Sequence, residues 1–219
     1  MAFPTVTYTD PTAAQAALAN LAQDNGLGAI VLDGQSATQD AVLANLMQGL
    51  PSTTILGSTA AAAGAGTAGT GTIVKSSVTR EGNLIITRLF VDLTGLSAAA
   101  AGDVIGKATG GDPAYLTRLT TAVNGTIVGG RMLCTEAPAG GDADIDVYVA
   151  TAATGAYDDA VSGLAGQTQV INAGTQSLGT ASTVIADTIG ADEYVYLVSV
   201  GATAAAYTAG RLYLELIGV

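Results

Sequence analysis

The sequence contains no histidine, no tryptophan and a single cysteine. Without imidazole, the Ser-His-Asp and Cys-His nucleophile designs and every His-ligated metal centre are excluded. With Cys134 alone, no disulfide can close within the chain, and no histidine stands ready to activate the thiol, so MLCTEA reads as a strand with a small buried hydrophobe in it. Positive charge is also scarce: 7 Lys and Arg face 18 Asp and Glu, for a net charge of −11. The basic residues are scattered from Lys75 to Arg211, so neither a nucleic acid backbone nor an anionic membrane is an expected partner. Every charge before Lys75 is negative (Asp10, Asp24, Asp33, Asp40), which suits a basic protein surface instead. Large apolar runs are missing too. Residues 41–74 are uncharged, but Asn45, Gln48, Pro51 and many Ser, Thr and Gly interrupt them, so no spanning helix is expected. MAFPTVTYTDP has neither the basic nor the apolar region of a signal peptide. With 2 Phe and 8 Tyr against 29 Gly, the composition predicts a thin core of small side chains, stabilised in part by contact with other subunits.

What is present divides the chain in three. Residues 1–52 carry two helical patterns. In the first, Asp10 and Pro11 mark the start, Ala14, Leu18 and Leu21 share a face, and Gly26 marks the end. In the second, Ser36 and Gln39 form a capping box ahead of Val42, Leu43, Leu46 and Met47. Residues 53–71 are a Gly-, Ala- and Thr-rich linker. Gly64, Gly66 and Gly69 have dinucleotide-fingerprint spacing, but the β-like TGTIVKSSVT follows where the fingerprint needs a helix, so composition accounts for the match.

From residue 72 the period changes to two. Strands are predicted at Thr72 to Thr79, Asn83 to Leu93, Thr126 to Glu136, Ala143 to Ala150, Thr168 to Asn172, Thr183 to Asp187, Tyr194 to Val200 and Arg211 to Ile217, with Gly and Asp clusters between them. Residues 72–219 are therefore expected to be a mainly β domain, a jelly-roll-like antiparallel β-sandwich preceded by the small α-helical segment.

The stretch that decides most about chemistry is GGDADIDVYV, residues 140–149. On a strand Asp142, Asp144 and Asp146 share a face, while Ala143, Ile145 and Val147 form the other. Carboxylates at that spacing lie along a line, about 7 Å per step, whereas calcium needs six to eight converging oxygens. The EF-hand pattern also fails, with Val147 where Gly belongs and Ala153 where the bidentate acid belongs. The three are read as the solvated face of a strand; the alternative is a weak cation site completed by Asp158, Asp159 or a neighbouring subunit. No cofactor is expected. Glu136 and Asp146 could in principle act as a hydrolytic carboxylate pair, but the chain lacks the aromatic platform a sugar cleft uses.

The runs GNLIITRLFVDLTGL (82–96), GRMLCTEAPAGGDADIDVYVA (130–150) and DEYVYLVSVGATAAAYTAGRLYLELIG (192–218) resemble capsid decoration or cement proteins of tailed bacteriophages. The resemblance implies a non-enzymatic virion component, assembled in the host cytoplasm and bound to the exterior of the major capsid protein lattice. It carries no active-site residues with it. A homo-oligomer is expected, a trimer ahead of a dimer, with residues 1–52 as anchor or oligomerisation element. The alternative is a head fibre or tail adhesin for a host-surface glycan or protein, for which Tyr115, Tyr157 and Tyr207 are the candidate exposed aromatics.

Overall fold

Alternation of apolar and polar residues becomes two packed sheets. A computed structural model describes residues 61–183, 189–201 and 203–219, together with the backbone of 55–58. The expected helices in 1–52 and the end of the strand expected at Thr183 to Asp187 lie outside the described residues. Leu56–Val219 is one compact unit. It is mainly β, and among the described residues there are ten strands: β1 Ile55–Ser58, β2 Ile73–Glu81, β3 Leu84–Asp92, β4 Thr117–Leu119, β5 Ile127–Ala139, β6 Ile145–Ala150, β7 Thr168–Ile171, β8 Ala181–Thr183, β9 Glu193–Ser199 and β10 Ala209–Gly218. They form a six-stranded sheet in the order β1-β2-β3-β10-β5-β8 and a four-stranded sheet in the order β4-β9-β6-β7. The registered pairs are antiparallel: β3 with β10, β4 with β9, β5 with β8, β6 with β7, and also β2 with β3, β5 with β10 and β6 with β9. One short helix, α1 (Thr121–Asn124), follows β4. The Thr120 side chain caps it at Val123, and the buried Asn124 carboxamide donates to the Thr87 hydroxyl at 2.8 Å, tying the turn to β3.

The main core lies between the sheets. Leu89, Val91, Met132, Cys134, Leu212, Leu214 and Leu216 from the larger sheet meet Ile145, Val147, Val149, Val195 and Leu197 from the smaller. The thin, small-residue core that composition suggests is not what forms. The strands hold large aliphatic side chains, each contributing about 1.5–3 kcal/mol on full burial, while alanines such as Ala204, Ala205 and Ala206 are exposed in loops.

The four-stranded sheet is buried on its other face as well. Tyr196, Val198 and Ala150 are covered there by Val104, Ala114, Val161 and Leu164, from the connections after β3 and β6, with Tyr115, Tyr148 and Tyr194 packed at the margin. Tyr196 is wholly buried and donates its hydroxyl hydrogen to the Ala152 carbonyl at 2.8 Å. Burial pushes its phenol up to about 12.

The glycine-rich stretch, read as linker, is built into this body from Ala61 onward. The Gly64 and Gly66 amides donate to the carbonyls of Tyr115 and Pro113, each at 2.8 Å, and the Lys107 amide donates to the Gly66 carbonyl. Among the described residues, no helix is long and apolar enough to cross a membrane.

Candidate functional site

Strand β6 begins at Ile145, so of the three aspartates only Asp146 stands on it. Asp146 is 4% exposed. One carboxylate oxygen accepts from the Gln169 side-chain amide and the other from the Ala173 backbone amide at 2.9 Å, so the group fastens β7 and the loop after it. Asp142 and Asp144 are half-buried in the loop between β5 and β6. The Asp142 carboxylate accepts from the Asp144 amide at 2.8 Å, its carbonyl accepts from the Tyr207 hydroxyl at 2.8 Å, and the Asp144 carbonyl accepts from the Val200 amide. Burial holds the Asp144 carboxyl above the ordinary aspartate range, and the charges of Asp146 and Asp142 push it the same way.

The solvated-face reading therefore fails at Asp146. Its alternation was right, with Ile145, Val147 and Val149 inward, but the opposite face is roofed by loops and is not open to water. Among the described residues, no group of three or more Cys, Asp and Glu is disposed to hold a metal ion. Asp158 and Asp159 form a separate turn, in which Asp159 accepts from the Ala156 amide at 2.8 Å and Asp158 takes a φ of 70°.

Glu136 and Asp146 are committed to different partners in different sheets. Glu136 shares the even numbering of the inward residues Met132 and Cys134, yet it faces outward. Leu212 pairs with Cys134 while Arg211 pairs with Glu136, so a bulge at Thr135 shifts the phase and brings Glu136 to Arg211 at 3.3 Å. Cys134 is buried as expected, and burial raises its thiol pKa. Of the three tyrosines read as exposed loop aromatics, Tyr207 is 2% exposed and belongs to the core. Tyr115 is half-buried, edge-on to Tyr194 at 4.9 Å between ring centres, and Tyr157 is half-buried.

Two features were not anticipated. Glu193 is 6% exposed, with its carboxylate accepting from the Gly190 amide at 2.8 Å. Burial raises its pKa against that hydrogen bond. A carboxyl whose folded pKa lies above the ordinary glutamate value of 4.5 weakens folding when ionised, and this cost disappears as pH falls below both values. Glu193→Gln is therefore expected to raise the melting temperature near neutral pH, by the equivalent of about 1 kcal/mol or less, and to leave it unchanged in acid. Thermal melts across pH check this; a loss of stability near neutral pH would contradict it.

The second is a set of cross-strand ranks on the outer face of the six-stranded sheet. Arg211 lies beside Asp92 and Glu136, at 3.0 and 3.3 Å. Two residues along, Tyr213 lies between Phe90 and Leu133. Two further along, Glu215 lies between Arg88 and Arg131, at 3.4 and 3.3 Å. Burial favours the neutral form of Asp92, but the Thr94 hydroxyl and amide and the Arg211 guanidinium outweigh it and lower the pKa. RxYxE in β10 and RxFxD in β3 carry the signal, but only the register sets the two motifs side by side.

No family model matches the chain, and neither a curated protein nor a solved structure is significantly similar to it.

Proposed function

We propose that this chain is a non-catalytic virion component, a decoration or cement protein whose jelly-roll body binds the exterior of a major capsid protein lattice. The observation that carries this reading is how the acids are used. Asp103, Asp142, Asp146, Asp159 and Glu193 each accept a hydrogen bond from a backbone amide in a turn or loop. An acid-rich chain that uses its carboxylates to fasten connections makes a stiff body with fixed surfaces, which a load-bearing shell component needs. The jelly-roll assignment is supported by the concentric pairing of β3 with β10, β4 with β9, β5 with β8 and β6 with β7. That winding recurs in viral capsid and lectin domains, and a shared fold alone does not assign a function. The resemblance of residues 82–96, 130–150 and 192–218 to phage decoration proteins favours the capsid over other uses of that winding.

The adhesin reading has one observation in its favour. Tyr115 and Tyr194 are half-buried, and the Arg118 guanidinium lies 5.8 Å from the Tyr194 ring centre, a composition suited to binding surfaces. Incubating the purified full chain with particles that lack it, then sedimenting and imaging them, separates the two. Saturable binding at regular lattice positions is expected. Binding to host cells with none to particles would overturn the capsid assignment.

A further inference from the structure

The middle of the six-stranded sheet's outer face carries a charge pattern with a definite symmetry. The rank Asp92, Arg211, Glu136 reads minus, plus, minus, and the rank Arg88, Glu215, Arg131 reads plus, minus, plus. Between them runs the half-buried apolar rank Phe90, Tyr213, Leu133. We propose that this face binds the same face of a second copy, about a two-fold axis lying along the Phe90-Tyr213-Leu133 rank. A half-turn about that axis keeps each residue's place along its rank and exchanges the two charged ranks. Asp92 then faces the partner's Arg88, Arg211 faces the partner's Glu215 and Glu136 faces the partner's Arg131, so each of the six positions in the two charged ranks meets its opposite. A half-turn about an axis parallel to the strands would set Arg211 on its own copy and Asp92 on the partner's Glu136. The pattern therefore selects one orientation and disfavours the other.

The geometry tolerates ordinary sheet packing. Strands about 4.8 Å apart and ranks about 6.8 Å apart put the outer charges about 8 Å from the centre. The ~30° offset of aligned sheets then displaces them by about 4 Å, within reach of Arg and Glu side chains. The in-sheet ion pairs already order these side chains, so less freedom is lost on association. The Glu215 and Asp92 side chains are only 15% and 8% exposed, so covering them removes little further hydration. Lys75 faces its own copy at the margin of the axis, where solvent weakens the repulsion. The pairing holds whether or not the body docks on a capsid.

The test is sedimentation equilibrium of the full chain, with the fold of each variant checked by circular dichroism. The native chain is expected to pass from monomer to dimer between about 1 and 100 µM, the strength of a modest interface. Arg131→Glu sets like charges against the partner's Glu136 and is expected to weaken the dimer at least ~10-fold. Adding Glu136→Arg should restore it. Within one copy the double variant puts like charges beside both Glu215 and Arg211, so rescue can arise only across the interface. As a second measurement, Lys75→Cys, on the axis, should be joined to its own copy by a short bismaleimide faster than Ser77→Cys, one rank away. A chain that stays monomeric at about 100 µM, a trimer, an undiminished Arg131→Glu dimer or a double variant no tighter than the single would each overturn the proposal.

Discussion

Asp146→Ala is expected to cost about 3 kcal/mol of folding stability, read from denaturant unfolding. The substitution removes a buried charged acceptor and strands two donors, the Gln169 side-chain amide and the Ala173 backbone amide. Hydrogen bonds to a charged group are worth about 1.5–3 kcal/mol each, and a buried donor left without a partner adds its own desolvation cost. Asp146→Asn keeps the shape and one acceptor oxygen but loses the charge, so about half that loss is expected. Asp144→Ala is the contrast. Its side chain is half-buried and its ionised form is disfavoured by burial and by two neighbouring acids, so a change within about 0.5 kcal/mol is expected. Near-native stability of Asp146→Ala would mean that its carboxylate does not hold the loops.

Gly66→Ala is expected to cost a similar amount, about 3 kcal/mol, by the same measurement. A Cβ at residue 66 would stand 2.8 Å from the Pro113 carbonyl carbon and still closer to the Asp112 carbonyl oxygen. Both obstacles are backbone, so relief requires pulling the 61–71 segment away from 112–115. That movement would stretch the bonds of Gly66 to Pro113 and Lys107 and of Gly64 to Tyr115. Gly163→Ala is the control: nothing lies within 4 Å of its Cβ position, and a change within about 0.5 kcal/mol is expected there. Equal losses at both positions would mean that close approach is not the cause, since the lower freedom of the unfolded chain favours alanine at both.

Strand periodicity was legible in the residues because β3, β5, β6, β9 and β10 each bury one face against the other sheet. Arg-Leu-Tyr-Leu-Glu-Leu-Ile in β10 and Ile-Asp-Val-Tyr-Val in β6 declare their inward residues directly. What alternation cannot say is whether the second face is wet. For β10 it is partly so; for β6 and β9 it is covered by the connections after β3 and β6, which buries Tyr196, while β7 and the loop after it close over Asp146. A single bulge defeats parity, as at Thr135, where one extra residue turns Glu136 outward to Arg211. Glycine is ambiguous for a related reason. Gly64 and Gly66 sit in a run whose composition signals a hinge, yet a backbone packed against backbone requires the same residue. Tyr207, in AAAYTAG, reads as a loop aromatic. Its burial depends on the Asp142 carbonyl and the Gly95 and Leu96 backbone, none of which is near it in the chain.

Calorimetric titration of the full chain with calcium, paired with a thermal melt, most directly tests whether the acids of residues 142–146 fasten loops or gather around an ion. Only heats of dilution and an unchanged melting temperature are expected up to about 1 mM calcium, the range of weak extracellular sites. Saturable binding that stabilises the fold and disappears in Asp144→Asn would contradict the assignment of these carboxylates to the fold.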